Sequence, residues 1–407
     1  SHPLKTRVTE LLGCDWPILQ TGMGWVATPS LVAGACNAGA FGFLGAAVMT
    51  PDECREKILA VRRGTDRPFG VNFHSFQPGA EAIVELILAN ADQVRAVSFG
   101  RGPNAKMIGR FKDAGILCIP TVGAVKHARK MEELGVDMIS VQGGEGGGHT
   151  GSVPTTILLP QVLDTVKVPV IASGGFADGR GLVAALAFGA VGIAMGTRFL
   201  LTKESPVPDG WKQRLLTLKE GDVFLNRFSP TGFYSSAVNN PFMEELRARS
   251  ERQIPYATEP TGDLTEPHGI GPRKRLVYLQ ADELPKALQW ESQGFTEAMR
   301  TPDNTLIFVQ PDDARQILKD QADCMGCLSQ CAFSSWMDSE TNSTGRLADP
   351  RSFCIQKTLK DIAHGGDVDN NLMFAGHGAY RFATDPFYSN RFIPTVKELV
   401  DRILTGD

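Results

Sequence analysis

The sequence has no excess of basic residues and no block of five or six like charges. Its 41 Lys and Arg residues stand against 45 Asp and Glu residues, which gives a net charge of −4. A protein that binds nucleic acid usually carries a basic patch or stripe. We therefore expect no nucleic-acid partner.

Long apolar runs are also missing. No uninterrupted apolar stretch reaches the roughly 20 residues that a membrane-spanning helix needs. The first residues, 1–7, lack the apolar core of a signal peptide. With 42% apolar and 21% charged residues in 407 positions, the composition is that of an ordinary globular protein. We expect a soluble cytoplasmic protein with no membrane contact and a small-molecule substrate.

The segment from Pro17 to Leu200 repeats one pattern: a short apolar run, a Gly-rich or polar loop, and a stretch with helical spacing. The predicted strands are 17–23, 41–46, 69–73, 96–100, 117–123, 138–142, 168–175 and 191–200. Near-continuous apolar strands are typical of a parallel sheet buried on both faces. Eight such units predict an α/β fold, a TIM (β/α)8 barrel, in preference to an open doubly wound sheet.

Beyond Thr202 the pattern changes to helical pieces joined by Pro- and Gly-rich connections. This predicts an appended, mainly helical C-terminal subdomain over 205–370. Apolar spacing in 393–404 predicts an amphipathic helix that packs back on the barrel. The predicted division is a barrel over 1–204, the appended subdomain, and a returning segment over 371–407.

Glycines follow the last two predicted strands, as Ser173-Gly174-Gly175 and Gly196-Thr197. In this fold the active site lies at the carboxyl ends of the strands, and the loops after strands seven and eight commonly hold a phosphate. These residues are therefore candidate phosphate ligands. The alternative is that the glycines only relieve crowding at tight turns.

Small residues also end the first predicted strand, where Gly22 and Met23 could lie against a flat ring. Asn72, at the end of the third strand, could offer its amide to that ring. A role as a turn former is nearly as good an explanation for Asn72.

The sixth strand leads into Gln142-Gly-Gly-Glu-Gly-Gly-Gly-His149. So many glycines are costly in backbone entropy unless a ligand approaches the main chain closely. His149 is the best candidate for a general base, because the pKa of an imidazole lies near neutrality. The other histidines, His377 among them, lack comparable glycine context. No Lys and Ser/Thr follow the glycines, so a P-loop is not supported, and neither is a dinucleotide fingerprint.

Taken together, these stretches resemble the nitronate monooxygenase family of FMN-dependent barrels. The matching pieces are Gln20-Thr-Gly-Met-Gly24, Gly70-Val-Asn72, Gln142 to His149, Ala172 to Arg180 and Met195-Gly-Thr-Arg-Phe199. The resemblance covers residues 5–205, with a weaker match from Phe374 onward. It implies FMN as cofactor, with His149 as the catalytic base. The implied FMN contacts are Gly22, Met23, Asn72, Gln142, Gly147, Gly148, Ser173, Gly174, Gly175, Gly196 and Thr197.

Family membership leaves several reactions open. Members include nitronate monooxygenases that use O2, NAD(P)H-dependent quinone or enoyl-thioester reductases, and flavin dehydrogenases acting on coenzyme A thioesters in bacterial steroid degradation. The stretches 20–27 and 141–151 look most like the last group. The resemblance thus implies an FMN-dependent oxidoreductase for a carbonyl- or thioester-activated substrate, with NAD(P)H as a candidate co-substrate. A non-catalytic flavin-binding or sensing protein is the remaining alternative.

Cysteine is unevenly distributed. Four isolated cysteines, Cys14, Cys36, Cys54 and Cys118, are expected to be reduced core thiols. Four others form C-x2-C-x3-C-x22-C: Cys324, Cys327, Cys331 and Cys354. Three closely spaced thiolates favour a [4Fe–4S] cluster over zinc, while simple thiols remain an alternative. A cluster would let the flavin exchange electrons with a one-electron redox partner. A homo-oligomer is compatible with this sequence.

Overall fold

The computed structural model describes residues 4–100, 104–226, 234–244 and 355–406, together with the backbone of three short strands, 277–280, 296–300 and 305–309. The cysteine cluster, with Cys324, Cys327, Cys331 and Cys354, lies outside these described residues.

The strands follow the predicted order. In the barrel region they are β1 (Ile18–Gln20), β2 (Phe41–Gly45), β3 (Phe69–Asn72), β4 (Val94–Ser98), β5 (Leu117–Cys118), β6 (Thr121–Val122), β7 (Ile139–Gln142), β8 (Gly148–His149), β9 (Val170–Ser173) and β10 (Gly192–Met195). Further strands are β11 (Val223–Asn226), β12 (Ser235–Val238), β13 (Val277–Gln280), β14 (Thr296–Arg300) and β15 (Thr305–Val309).

Helices alternate with the barrel strands. They are α1 (Arg7–Leu12), α2 (Pro29–Asn37), α3 (Pro51–Gly64), α4 (Ala80–Leu88), α5 (Ala105–Asp113), α6 (Val125–Glu133), α7 (Thr155–Leu163), α8 (Gly179–Phe188), α9 (Thr197–Leu200), α10 (Asp209–Leu215), α11 (Ile355–Ala363) and α12 (Val396–Thr405). None of the helices in the described residues is long and apolar enough to cross a bilayer.

The parallel strands form one sheet in the order β5-β4-β3-β2-β1-β10-β9-β7-β6. The two ends of this order are halves of one extended segment that Pro120 interrupts, since proline cannot donate to a ladder. Ile119 N–H donates to the Val97 carbonyl at 2.9 Å, and Ser140 N–H donates to the Pro120 carbonyl at 2.9 Å. The segment therefore joins β4 to β7, and the predicted closed barrel is confirmed.

Helix α3 (Pro51–Gly64) shows how local sequence sets these boundaries. The Glu53 N–H donates to Thr50 Oγ1 at 3.3 Å, and the Glu53 carboxylate accepts from the Thr50 N–H at 2.8 Å. This reciprocal capping box satisfies two backbone donors at the start of α3. Cys54, Ile58 and Val61 then turn inward from the helix.

The eighth predicted strand is too long by several residues. It was expected to run through Leu200, but β10 ends at Met195 and Thr197–Leu200 is helical. The apolar run alone does not mark the change, because Phe199 and Leu200 are buried in either conformation. Thr197 thus lies at the first turn of α9, directly after the strand.

Within the described residues, the region after the barrel includes strands as well as helices. β11 and β12 pair with each other in antiparallel register, and β12 also pairs with β8 of the barrel loop. A second antiparallel sheet has the order β13-β15-β14. The sequence basis is short runs such as Thr-Leu-Ile-Phe-Val, whose β-branched and aromatic residues favour strands.

The last described segment returns to the barrel. It runs through two 3-10 segments, His377–Thr384 and Pro386–Arg391, into α12, which packs against α2 and α8. Thr395 and Glu398 cap this helix as a capping box. The segment thereby covers one side of the carboxyl ends of the strands.

Candidate active site

The candidate site begins at the glycine loop, residues 143–147 between β7 and β8. The Gln142 side-chain amide donates to the carbonyl oxygens of Gly147, at 3.3 Å, and His149, at 3.1 Å. Gln142 therefore holds the far end of the loop close to the strand that precedes it. The same contacts bring Gln142, Gly147, Gly148 and His149 together.

Glu145 anchors the middle of the glycine loop. Its carboxylate accepts a hydrogen bond from the Thr155 N–H at 2.8 Å and lies 2.8 Å from Thr155 Oγ1. Thr155 is the first residue of α7, where an acidic group satisfies a free N–H and complements the helix dipole. Thr155 Oγ1 also lies 3.0 Å from the Gly174 carbonyl oxygen. The loop, α7 and the end of β9 are thus tied at one point.

Residues 374–377, the covering segment, close over the outer side of the glycine loop. A Cβ on Gly147 would lie 2.8 Å from the carbonyl carbon of Ala375, so only glycine fits there. His377 N–H donates to the Glu145 carbonyl oxygen at 3.0 Å. The glycines therefore permit a close approach of protein backbone, in addition to any approach by a ligand.

His149 lies on strand β8, at the edge of a short antiparallel sheet. It pairs with Ser235 across β8 and β12, its ring lies 6.0 Å from the Phe374 ring in an edge-on arrangement, and the residue is exposed. The His149 backbone is therefore held by β12 and by the Gln142 amide, while the imidazole stays accessible. Its role as a catalytic base remains a prediction.

His377, which the sequence reasoning set aside, lies against the same loop. Its Nε2 is 3.3 Å from Ser236 Oγ. Burial lowers the pKa of this imidazole below its ordinary value, and the nearby Glu145 opposes that shift. The sequence Gly376-His377-Gly378 could have pointed to His377, because a glycine also precedes His149.

The predicted ring contacts lie at the ends of β1 and β3. A Cβ on Gly22 would fall 2.2 Å from Asn72 Cβ, so these two residues are in direct contact. The Asn72 amide donates to the Ser98 carbonyl at 3.2 Å. A Cβ on Gly196 would lie 3.2 Å from Met23 Sδ, which brings the first and last strands of the barrel together.

The glycines after β9 suit a bound phosphate. Gly174 and Gly175 have φ values of 86° and 85°, in the left-handed region that favours glycine. Their N–H groups donate to no acceptor within the part of the chain that the structure describes. A Cβ on Gly174 would lie 3.0 Å from the Gly143 carbonyl oxygen. Ser173, Gly196 and Thr197 lie at the same strand ends, and the role of these five residues as ligands of the FMN phosphate remains a prediction.

The isolated cysteines are buried free thiols, as expected. Burial raises the pKa of Cys14, Cys36, Cys54 and Cys118 to about 12 in each case, so these thiols stay protonated. Among the described residues, no group of three or more His, Cys, Asp or Glu side chains could hold a metal ion.

Comparisons with known proteins find several similar chains. The chain is 51% identical over 224 residues to (3aS,4S,5R,7aS)-5-hydroxy-7a-methyl-1-oxo-octahydro-1H-indene-4-carboxyl-CoA dehydrogenase from Rhodococcus jostii, a match covering 55% of this chain and 63% of that protein. The protein of the same name from Mycobacterium tuberculosis is 54% identical over 251 residues, covering 61% and 70%.

Among solved structures, FabK from Thermotoga maritima superposes with a TM-score of 0.64 at 26% identity, covering 98% of this chain and 95% of that one. The family model of nitronate monooxygenase matches residues 5–406. This chain therefore belongs to the nitronate monooxygenase family of FMN-dependent oxidoreductases.

Proposed function

We propose that the protein is an FMN-dependent dehydrogenase that acts on an acyl-CoA thioester and uses His149 to move a proton at the carbon beside the activated carbonyl. The observation that carries this proposal is the exposed imidazole of His149, held at the same end of the barrel as the phosphate cradle. The similarity to two proteins named as carboxyl-CoA dehydrogenases supports the substrate class.

The proposed proton transfer depends on the acidity of the carbon beside the activated carbonyl. A thioester or ketone stabilises the anion formed when its neighbouring carbon loses a proton, and an imidazole with a pKa near neutrality can accept that proton at working pH. FMN, when bound, supplies hydride acceptance or donation. The cradle residues Gly174, Gly175, Gly196 and Thr197 would hold it, with Gly22, Met23 and Asn72 near the ring.

The remaining residues of the site act by positioning. Gln142 and Glu145 fix the two halves of the glycine loop, and Phe374 limits the rotation of the His149 ring from one side. A base held in one geometry loses less entropy in the transition state.

The variant H149A tests this assignment, with H127A as a matched control because His127 is exposed on α6, away from the loop. We expect H149A to retain FMN and to lose roughly 10²- to 10⁴-fold in turnover, the range for a general base. H127A should keep wild-type turnover. Unchanged turnover in H149A would remove the base assignment.

A nitronate monooxygenase that uses O2 is the second candidate, favoured by the family match over residues 5–406. A third is an NAD(P)H-dependent enoyl-thioester or quinone reductase. Anaerobic visible spectra separate the three, because the flavin bleaches only with its own reductant: a CoA thioester, a nitronate, or NADH or NADPH. A flavin that no reductant bleaches would favour a binding or sensing role.

We further propose that Cys324, Cys327, Cys331 and Cys354 bind a [4Fe–4S] cluster that serves a one-electron partner, within an appended subdomain over 205–370. Four thiolates in this spacing are the support for the cluster. Metal analysis of the purified protein tests it, since the absence of both iron and zinc would exclude a metal centre. We also propose that the protein is cytoplasmic and forms a homo-oligomer.

A further inference from the structure

A cavity of about 500 Å³ lies beside the phosphate cradle, between the start of α8, α9 and the returning C-terminal segment. Its charged lining residues are Asp178, Arg180, Arg198, Arg381, Asp385 and Arg402. Four arginines against two aspartates give this arginine cavity a net charge of +2. None of the predicted FMN phosphate ligands lines it.

Each aspartate of the cavity is shared between two arginines. Asp178 Oδ2 lies 2.6 Å from Arg180 and 3.2 Å from Arg381. Asp385 pairs with Arg198 at 3.2 Å and Arg402 at 2.9 Å. A guanidinium has five N–H donors and is always charged. The four arginines therefore keep positive charge that the two carboxylates do not neutralise, and N–H donors that the two carboxylates do not bind.

Arg198 is the strongest sign that an anion belongs in the cavity. Its side chain is 2% exposed, and its Nε has no hydrogen-bond acceptor within the described part of the chain. Tyr388 OH and the ring of Phe382, 4.9 Å from the guanidinium carbon, contact its other side. The Nε atom itself has almost no accessible surface, so what Arg198 offers an anion in the cavity is its buried positive charge, which shares Asp385 with Arg402.

The cavity lies within reach of the candidate base. Ala177–Arg180 follows β9, and Arg198 follows β10, so the cavity is at the same barrel end as the glycine loop. The 3-10 segment His377–Thr384 runs from the loop to the cavity. Its eight residues, at about 2.0 Å each, span roughly 16 Å. The extended pantetheine arm of coenzyme A covers a distance of this order.

We propose that the arginine cavity binds phosphate groups at the nucleotide end of the coenzyme A thioester. The idea rests on the proposed function for the identity of the substrate. Arg180 and Arg381 are the accessible contacts, because their side chains are 82% and 46% exposed. Arg198 adds buried positive charge to the lining of the cavity. Phosphate is recognised well by such guanidinium groups.

NADPH carries a similar adenosine phosphate, so the test must separate the two sources. Free coenzyme A, pantetheine and NADP⁺ are the probes, and binding to the FMN-loaded protein is measured by calorimetry. The variant R180Q/R381Q removes two accessible charges. R7Q is the matched control, because Arg7 is 59% exposed on α1 and its ion pair within the described part of the chain is with Glu10.

We expect coenzyme A to bind wild-type protein and R7Q equally, and to bind R180Q/R381Q roughly 10- to 100-fold more weakly, as the loss of charge-assisted hydrogen bonds predicts. Pantetheine, which lacks the nucleotide, should bind all three proteins alike. Equal affinity of coenzyme A for wild type and R180Q/R381Q would overturn the proposal. So would a loss confined to NADP⁺.

These outcomes are independent of the proposed function. If coenzyme A binding depends on Arg180 and Arg381 but no CoA thioester bleaches the flavin, the dehydrogenase proposal fails and the cavity assignment stands. If a CoA thioester bleaches the flavin equally well in R180Q/R381Q and with the same half-saturating concentration, the cavity assignment fails and the dehydrogenase proposal stands.

Discussion

The glycine loop and the covering segment each present one histidine beside a glycine, and the two imidazoles are used differently. His149 is exposed, and it lies on strand β8, whose backbone pairs with β12. His377 is half-buried, with its backbone bonded to Glu145 and its ring beside Ser236. A residue type with a near-neutral pKa thus becomes a candidate for proton transfer in one place and a packing group in the other. Exposure and partners decide the difference, while residue type alone does not.

The largest expected effect comes from disturbing the contact between the two regions. In G147A the new Cβ would lie 2.8 Å from the Ala375 backbone, so the loop or the covering segment must move. We expect a loss of about 1 to 3 kcal/mol in unfolding free energy, the range for overpacking, and a clear fall in turnover. Chemical denaturation and steady-state kinetics measure both.

The control is G378A. Gly378 directly follows the covering segment, and a Cβ there would meet nothing within 4 Å. We expect it to behave as wild type. Equal effects of the two substitutions would show that the close backbone approach at Gly147 is not what fixes the loop.

A smaller effect is expected when the loop anchor loses its charge. E145Q keeps the shape of the side chain but removes the negative charge at the start of α7, so we expect a loss of roughly 0.3 to 1 kcal/mol in unfolding free energy. Bound FMN should be retained, since Glu145 is not among the cradle residues. An unchanged denaturation midpoint would show that the charge of Glu145 does not contribute to the unfolding free energy.

The smallest effect is a pH dependence that separates the histidines. The pKa of His377 is lowered in the folded protein, so the unfolded chain binds more protons below its ordinary value of about 6.5. His377 is therefore expected to make the fold less stable as the pH falls through this value. H377Q should flatten the fall in Tm between pH 7 and 5 relative to wild type. An identical slope in both proteins would show that His377 does not titrate differently on folding.

Local sequence predicts most of the barrel because local interactions set it. All eight predicted strand positions are occupied, and the Thr50 cap, a local sequence feature, starts α3 at Pro51. The glycines at 174, 175 and 196 also lie where the strand ends predict them. The same local rules could not show that β10 would stop at Met195, since the buried run continues into α9.

Contacts between distant parts of the chain account for what sequence reasoning missed. His377 reaches Glu145, and Arg198 reaches Asp385 across 187 positions. No spacing rule connects such pairs, because the fold alone brings them together. The strands β11 and β12 were missed for a similar reason: β12 is completed by two residues of the barrel loop, β8. Of the site, the backbone features were predictable and the residues that brace them were not.

The covering segment also has a consequence for the order in which the protein is made. His377 follows His149 by 228 positions. At about 5 to 20 residues per second, a ribosome needs roughly 10 to 45 s to add that stretch. Once β10 (Gly192–Met195) has been added, all the barrel strands are synthesised, but the glycine loop still has no Ala375 or His377 to pack against. The nascent chain therefore passes through a stage in which this end of the barrel lacks the covering segment.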